Sequence, residues 1–246
     1  TTKSKFNDED FKRQLATNPD QLKLARKHKI KVGDYDFRER VVLEDRDKIN
    51  SAYFDKTYFE DKNDKNDLAN YFESQKEGAK VVAKTLETMF DFSKINSVLE
   101  IGCAYGQTLN EIKAVKRTGI DISEYAVNEG KKYFKDLELV AVDIQQKDAI
   151  EKIKEKYDLV YSCITLEHIF PENIDIVLTN LNKWTKLNGW NYHNIDLSQG
   201  RDRTHYCIKP RRWWIDKFKE FGFDSKNVGD FEKYNFFVFQ KTAEVK

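Results

Sequence analysis

Apolar positions along the chain follow two rhythms. Short runs such as Val98-Leu99-Glu100-Ile101 and Tyr157-Asp158-Leu159-Val160-Tyr161 read as buried strands, whereas spacings of three and four residues mark amphipathic helices. Residues 67–90 set Leu68, Tyr71, Phe72, Gln75, Ala79, Val82, Leu86 and Met89 on one sustained helical face. Beyond it strand and helix alternate, with strands over 97–101, 117–121, 138–142 and 158–163 and helices over 107–115, 124–134, 146–155 and 172–186. Asn188-Gly189 turns the chain into a fifth strand over 190–196, Pro210 opens a further helix, Gly222 closes it, and 223–240 supply two more strands. The run Phe236-Phe237-Val238-Phe239 is too apolar for a sheet edge. This alternation predicts an α/β fold, a mostly parallel sheet with helices on both faces and ligands at the carboxyl ends of its strands.

The first 50 residues break the pattern. They are dense in charge, and Phe11, Leu15, Leu22 and Leu24 give only weak helical periodicity, which suggests short helices available to pair with a second subunit as a homodimer. Tyr53, Phe54, Tyr58 and Phe59 then group as if to cover something, either as a clamp fastening this extension or as a lid over a ligand. The chain accordingly divides into an N-terminal helical extension or lid over 1–66 and a main domain over 67–246.

The candidate chemistry centres on Val98-Leu99-Glu100-Ile101-Gly102-Cys103-Ala104-Tyr105-Gly106, a strand breaking through a glycine turn into a helix. Such a turn lets a ligand approach the backbone closely. A dinucleotide fingerprint requires G-x-G-x-x-G. Here the pattern is Gly102-x-Ala104-x-Gly106, and Glu100 places a carboxylate where it would repel a pyrophosphate. A ligand carrying positive charge fits better, and S-adenosylmethionine has an ammonium and a sulfonium with no phosphate.

At these residues the sequence resembles class I S-adenosylmethionine-dependent methyltransferases, whose first motif is an acidic residue, any residue, then G-x-G-x-G. The resemblance continues through Thr118-Gly119-Ile120-Asp121-Ile122-Ser123, Ala141-Val142-Asp143-Ile144 and Tyr157-Asp158-Leu159-Val160-Tyr161-Ser162-Cys163, and covers roughly 67–240. It implies a Rossmann-like seven-stranded sheet whose final strand is antiparallel. It also implies a cofactor site drawn from Glu100, Gly102, Cys103, Ala104, Tyr105, Gly106, Ile122, Ile144 and Ser162, with Asp121 on the ribose hydroxyls and Asp143 on the adenine amino group. Tyr71 could reach the methionine tail.

Net charge narrows the acceptor. Forty-three basic and 42 acidic residues leave a formal charge of +1, so no global field recruits nucleic acid or an anionic membrane. The post-strand segment Ser162-Cys163-Ile164-Thr165 lacks the proline tetrad of nucleic-acid amino-methyltransferases. Cys103, Cys163 and Cys207 have no C-x-x-C spacing and read as reduced thiols. No leader-like or membrane-spanning run appears, and a cytoplasmic enzyme acting on a small molecule is expected.

A hydroxyl acceptor must lose its proton near the transition state, and histidine suits that role at neutral pH. His168 follows the fourth strand, where the resemblance places substrate, and is the first candidate base. His205, in a charged loop after the fifth strand, is the second; each could equally be a structural or solvated residue. Glu167, Arg201, Thr204, Tyr206 and Arg211 are the candidate substrate contacts. The segment from Thr204-His205 through Pro210-Arg211-Arg212-Trp213-Trp214 to Gly222-Phe223 is similar to a stretch in sugar and surface-glycan methyltransferases. The expected reaction is transfer to a hydroxyl of a sugar, sugar phosphate or nucleotide sugar in glycan or polysaccharide assembly. An amino sugar or other small amine, or an inactive cofactor-binding adaptor, are the alternatives. No metal is expected, because Glu167 and His168 are adjacent and should point in different directions.

Overall fold

The computed structural model describes residues 50–60, 71–197, 204–227 and 235–245. Residues 1–49 of the expected extension, and with them the dimerisation reading, lie outside the described residues, as does Arg201. Seven strands form one sheet: β1 (Ser97–Ile101), β2 (Lys116–Asp121), β3 (Glu138–Ala141), β4 (Tyr157–Cys163), β5 (Thr185–Asn194), β6 (Phe223–Lys226) and β7 (Phe236–Lys241), in the order β3-β2-β1-β4-β5-β7-β6. The first five strands are parallel, and β7 runs antiparallel between β5 and β6. The apolar run at 236–239 is therefore interior, as its composition requires.

Side-chain alternation sends each strand's residues to two cores. Ile101, Val160, Phe237 and Phe239 pack with Trp184 and Trp214 on one face. Val98, Leu159, Tyr161 and Val238 pack with Ala83 and Leu86 on the other. The helices covering these faces are α1 (Lys56–Glu60), α2 (Tyr71–Met89), α3 (Gln107–Glu111), α4 (Glu124–Tyr133), α5 (Ala149–Lys152), α6 (Ile174–Trp184) and α7 (Arg211–Glu220). On the first face Phe218 of α7 stacks on Phe239 at 4.0 Å, nearly parallel.

The elements differ from the sequence reading mainly at their ends. The helix expected over 107–115 stops at Glu111, because Ile112 turns extended to enter the core. The one expected over 146–155 shrinks to Ala149–Lys152, the residues before it being drawn into a turn on the Asp143 carboxylate. The fifth strand starts at Thr185 instead of 190. Its pairing jumps from Tyr157↔Thr185 to Leu159↔Trp190, so Asn188, at φ 64, and Gly189 form a bulge inside the strand and not a turn before it.

Strand order reverses at β1, with β2 and β3 to one side and β4 and β5 to the other. A crevice opens at the carboxyl ends of strands about such a point. The candidate site lies there.

Candidate functional site

A cavity of about 640 Å³ opens over these strand ends, within the range of small-molecule pockets. One end is acidic: Glu100, Asp121 and Asp143, each at or just beyond the end of its strand, all line it. Gly102 takes φ 71, and a Cβ there would meet Thr165 Oγ1 at 2.4 Å, so only glycine lets the segment after β4 close over the turn. The amides of Gly102 and Cys103 donate to the Ile120 carbonyl, Ala104 N–H to Asp121 Oδ2 at 2.8 Å, and Gly106 N–H to the Cys103 carbonyl. Amides that a pyrophosphate would need are thus already engaged inside the turn, which matches the reading of a ligand without phosphate.

Glu100 is the most perturbed carboxyl of the site. It is buried, its Oε2 has no hydrogen-bond partner, and burial pushes its pKa up to about 8 against the opposing pull of the neighbouring Tyr161 hydroxyl. Asp121 is also raised by burial, though amides including those of Ser123 and Ala104 hold its carboxylate. Tyr71 lines the same end, and burial followed by the charges of Asp121 and Glu100 drives its hydroxyl far above the ordinary tyrosine value. A buried carboxyl with one oxygen left without a hydrogen bond, beside a tight turn, is a ready counter-charge for a ligand ammonium. The residues present fit S-adenosylmethionine by that observation.

Over this end folds the aromatic segment preceding α2. Phe59 packs on Tyr71 and Tyr105 at centroid distances of 5.1 and 5.4 Å, and Phe54, Tyr58 and Phe59 line the cavity. Ser123 Oγ donates to the Phe54 carbonyl and the Tyr125 hydroxyl donates to Glu60. The segment both clamps and covers.

At the opposite end the lining is Cys163, Ile164, Thr165, His168, Phe170 and Asn194. His168 Nδ1 lies 3.1 Å from the Thr204 carbonyl and 2.7 Å from Thr204 Oγ1. The Thr204 carbonyl and hydroxyl both lie within hydrogen-bond distance of Nδ1, so Thr204 orients the ring through that nitrogen. His205 stands edge-on to His168 at 4.7 Å between ring centroids, with its Nδ1 3.5 Å from Asp196 Oδ2.

Most expected cofactor residues line the cavity: Glu100, Gly102, Cys103, Ala104, Asp121, Ile122, Asp143, Ile144 and Tyr71. Tyr105 and Gly106 instead support it from behind, Tyr105 within the aromatic cluster and Gly106 as the left-handed start of α3. Ser162 does not reach the cavity. Alternation along β4 turns it to the helix-covered face, where its hydroxyl donates to His193 Nδ1 at 2.8 Å, while Cys163, one position on, takes the cavity place. Among the expected substrate contacts, Glu167, Thr204 and Tyr206 are buried beneath the lining, and Arg211 lies over the Phe237 ring at 4.3 Å. His205 is likewise behind the lining, 4 % exposed.

One expectation fails outright. Glu167 and His168 do not diverge: the 3₁₀ turn Leu166–His168 and the incoming segment at 204–207 bring potential ligand atoms of Glu167, His168 and His205 within 4.8 Å of one another. The sequence reading missed Thr165, Gln145, Gln107 and Asn194 as lining residues. Gln145 could have been found from its place just past the third strand; its Oε1 accepts from the Phe170 amide and so bridges the two ends.

Comparison with known proteins agrees with this geometry. Residues 99–191 match a family model described as a methyltransferase domain. Three solved structures share the fold. S-adenosylmethionine-bound CalS10, an amino pentose methyltransferase of Micromonospora echinaspora, has a TM-score of 0.54 at 14 % identity, covering 68 % of this chain and 91 % of its own. The sugar N-methyltransferase KedS8 of Streptoalloteichus sp. ATCC 53650 gives 0.53 at 11 %, covering 70 % and 88 %. An O-methyltransferase family protein of Burkholderia thailandensis gives 0.55 at 10 %, covering 85 % and 71 %. No curated protein matches the chain. Residues 99–191 thus match a methyltransferase domain, carried on the fold of these solved methyltransferases. S-adenosylmethionine is the cofactor of such domains.

Proposed function

We propose that this enzyme transfers the methyl group to a hydroxyl of a small polar acceptor, a sugar, sugar phosphate or nucleotide sugar of the kind used in glycan assembly. The observation that carries the reading is His168, which lines the same cavity as the acidic strand tips and is oriented through Nδ1 by Thr204. The bound cofactor supplies an electrophilic methyl on a sulfonium. Glu100 takes the cofactor's ammonium, Asp121 its ribose hydroxyls and Asp143 its adenine amino group, and Tyr71 borders the methionine tail. Held by these residues, the cofactor would offer its methyl group to an acceptor bound in the same cavity, and alignment of acceptor and carbon would provide most of the acceleration. His168 Nε2 lies where the departing hydroxyl proton is received, and buried His205 holds the ring edge-on.

A second reading, an amino sugar as acceptor, is favoured by the descriptions of CalS10 and KedS8 as acting on an amino pentose and on a sugar nitrogen. The readings separate on one variant. Isotope-labelled donor with a panel of nucleotide sugars and amino sugars identifies the acceptor. With a hydroxyl acceptor, His168→Ala is then expected to lower turnover by about 10²–10⁴ while cofactor affinity stays within a few-fold. Unchanged turnover on a hydroxyl acceptor would overturn this role, and labelling of amines alone would establish the second reading.

A further inference from the structure

We propose that Ile164 is a specificity-determining contact for the acceptor: a left-handed backbone brings its side chain into the cavity, where it takes an apolar face of the acceptor, the C–H face of a sugar ring.

Left-handed backbone is uncommon outside glycine because Cβ crowds the following carbonyl, and for a β-branched residue it is an outlier. Among the described residues four non-glycines adopt it: Ala104 at φ 47, Ile164 at φ 52, Asn188 and Asn235. Asparagine tolerates this conformation, and neither asparagine lines the cavity. Ala104 and Ile164 both line it. Such a conformation persists only where the surroundings over-determine the backbone. Here they do. Ile164 N–H donates to the Asn194 carbonyl at 2.8 Å, just past the Cys163↔Asn194 pair that ends the β4–β5 ladder. Thr165 Oγ1 lies 3.1 Å from the Cys163 carbonyl and 3.3 Å from the Ile101 carbonyl, and the same side chain packs on Gly102. The chain is thus gripped on both sides of Ile164.

The conformation gives the side chain exposure toward the cavity. Continued as strand, alternation would send residue 164 to the side of Ser162, away from the cavity that Cys163 lines. The left-handed turn brings it round. The large hydrophobic residues exposed among the described ones are Val81, Val115, Tyr133, Ile164 and Leu187, and of these only Ile164, at 47 % exposure, lines the cavity. Its aliphatic neighbours in the lining, Ile101, Ile144 and Ile169, are buried in the core, whereas Ile164 packs in none of the apolar clusters. A strained residue that leaves its aliphatic surface in water does little for the fold, and covering that surface with a ligand is favourable. A sugar ring suits the place, since its C–H face can rest on Ile164 while Asn194 and His168, which line the same end, remain for its hydroxyls.

The contact rests on the reading that the acceptor enters this cavity, and its ring on the sugar-acceptor reading. The test uses the full chain with S-adenosylmethionine and a panel of UDP-glucose, UDP-N-acetylglucosamine and glucosamine, with catechol and spermidine as acceptors outside the sugars. Ile164→Asn suits the left-handed backbone but removes the apolar surface, and Ile164→Leu keeps that surface. Ile164→Asn is expected to raise the acceptor KM by about 5–20-fold with cofactor affinity unchanged. Ile164→Leu should stay within about three-fold of wild type. The thermal midpoint of Ile164→Asn should hold or rise, because the crowding at Cβ is eased. A midpoint lowered by more than about 3 °C would show that the isoleucine serves the fold and would overturn the proposal. An unchanged KM in Ile164→Asn on a methylated sugar overturns the contact and leaves the sugar reading standing. If only catechol or spermidine is methylated, the sugar reading fails, and a raised KM for that acceptor in Ile164→Asn upholds the contact.

Discussion

Glu100 is the residue at which burial and charge conflict most openly. Held at a pKa of about 8 by burial, it is protonated at pH 7 before the cofactor arrives. An ammonium placed beside it favours the charged form. Cofactor binding at pH 7 should therefore release close to one proton per chain, and affinity should rise with pH up to about 8 and then level off. Calorimetry in buffers of different ionisation enthalpy reads this directly, and Glu100→Gln should abolish the release. Asp121 is the complementary case, with Ala104 and Ser123 amides fixing a carboxylate that remains at the cavity wall. Asp121→Ala is expected to weaken cofactor binding by about 1.5–3 kcal/mol, the scale of hydrogen bonds to a charged group. These acids were legible in the sequence because a carboxylate at a parallel strand's end faces the crevice by topology alone. The Glu167–His168–His205 convergence was not, because it depends on a 3₁₀ turn and on a distant segment returning beneath it. Ser162 was misplaced by one step of strand alternation, which sequence spacing cannot fix until the register of β4 is known.

Among the elements, α1 links packing to the site. Phe59 is buried in an aromatic group with Tyr71 and Tyr105, yet α1 has five residues and no strand of its own to anchor it. Phe59→Ala removes contacts that a core site would value at about 3–5 kcal/mol. Here the segment can detach by itself, so the expected loss is local: cofactor affinity should fall at least several-fold while the global unfolding midpoint moves little. Paired calorimetric and denaturant measurements test this. The first four strands were read nearly to the residue, since buried parallel strands are continuous apolar runs. Helix ends were read less well. Ile112 leaves its helix for the core, and Asn188-Gly189 is absorbed as a bulge, both being choices made by tertiary packing.

At the scale of the whole molecule, buried ionisable groups set behaviour in acid, and His193 is one whose burial costs stability as pH falls. His193 is fully buried between Ser162, Asn191 and Phe218, and burial lowers its pKa from 6.5 to about 3. The unfolded chain binds a proton below about pH 6.5 that the folded chain refuses until about pH 3. Stability from this residue is full above pH 6.5 and is lost as pH falls across that window. The share of stability carried by His193 should be about 2–3 kcal/mol smaller at pH 4.5 than at pH 7. Buried Glu100 shifts stability the opposite way over the same range, so urea unfolding of wild type and His193→Gln at both pH values isolates the histidine's share.

The reversal of strand order at β1 also separates two jobs in the chain. The acidic end proposed for the donor is built from the tips of β1, β2 and β3, whereas the His168 end is built from the segments leaving β4 and β5. The two halves meet through the Gln145–Phe170 hydrogen bond and the packing of Thr165 on Gly102 and are otherwise built by different segments. Grafting those two segments from a relative of different taste should retarget the catalyst while leaving its appetite for the methyl donor intact.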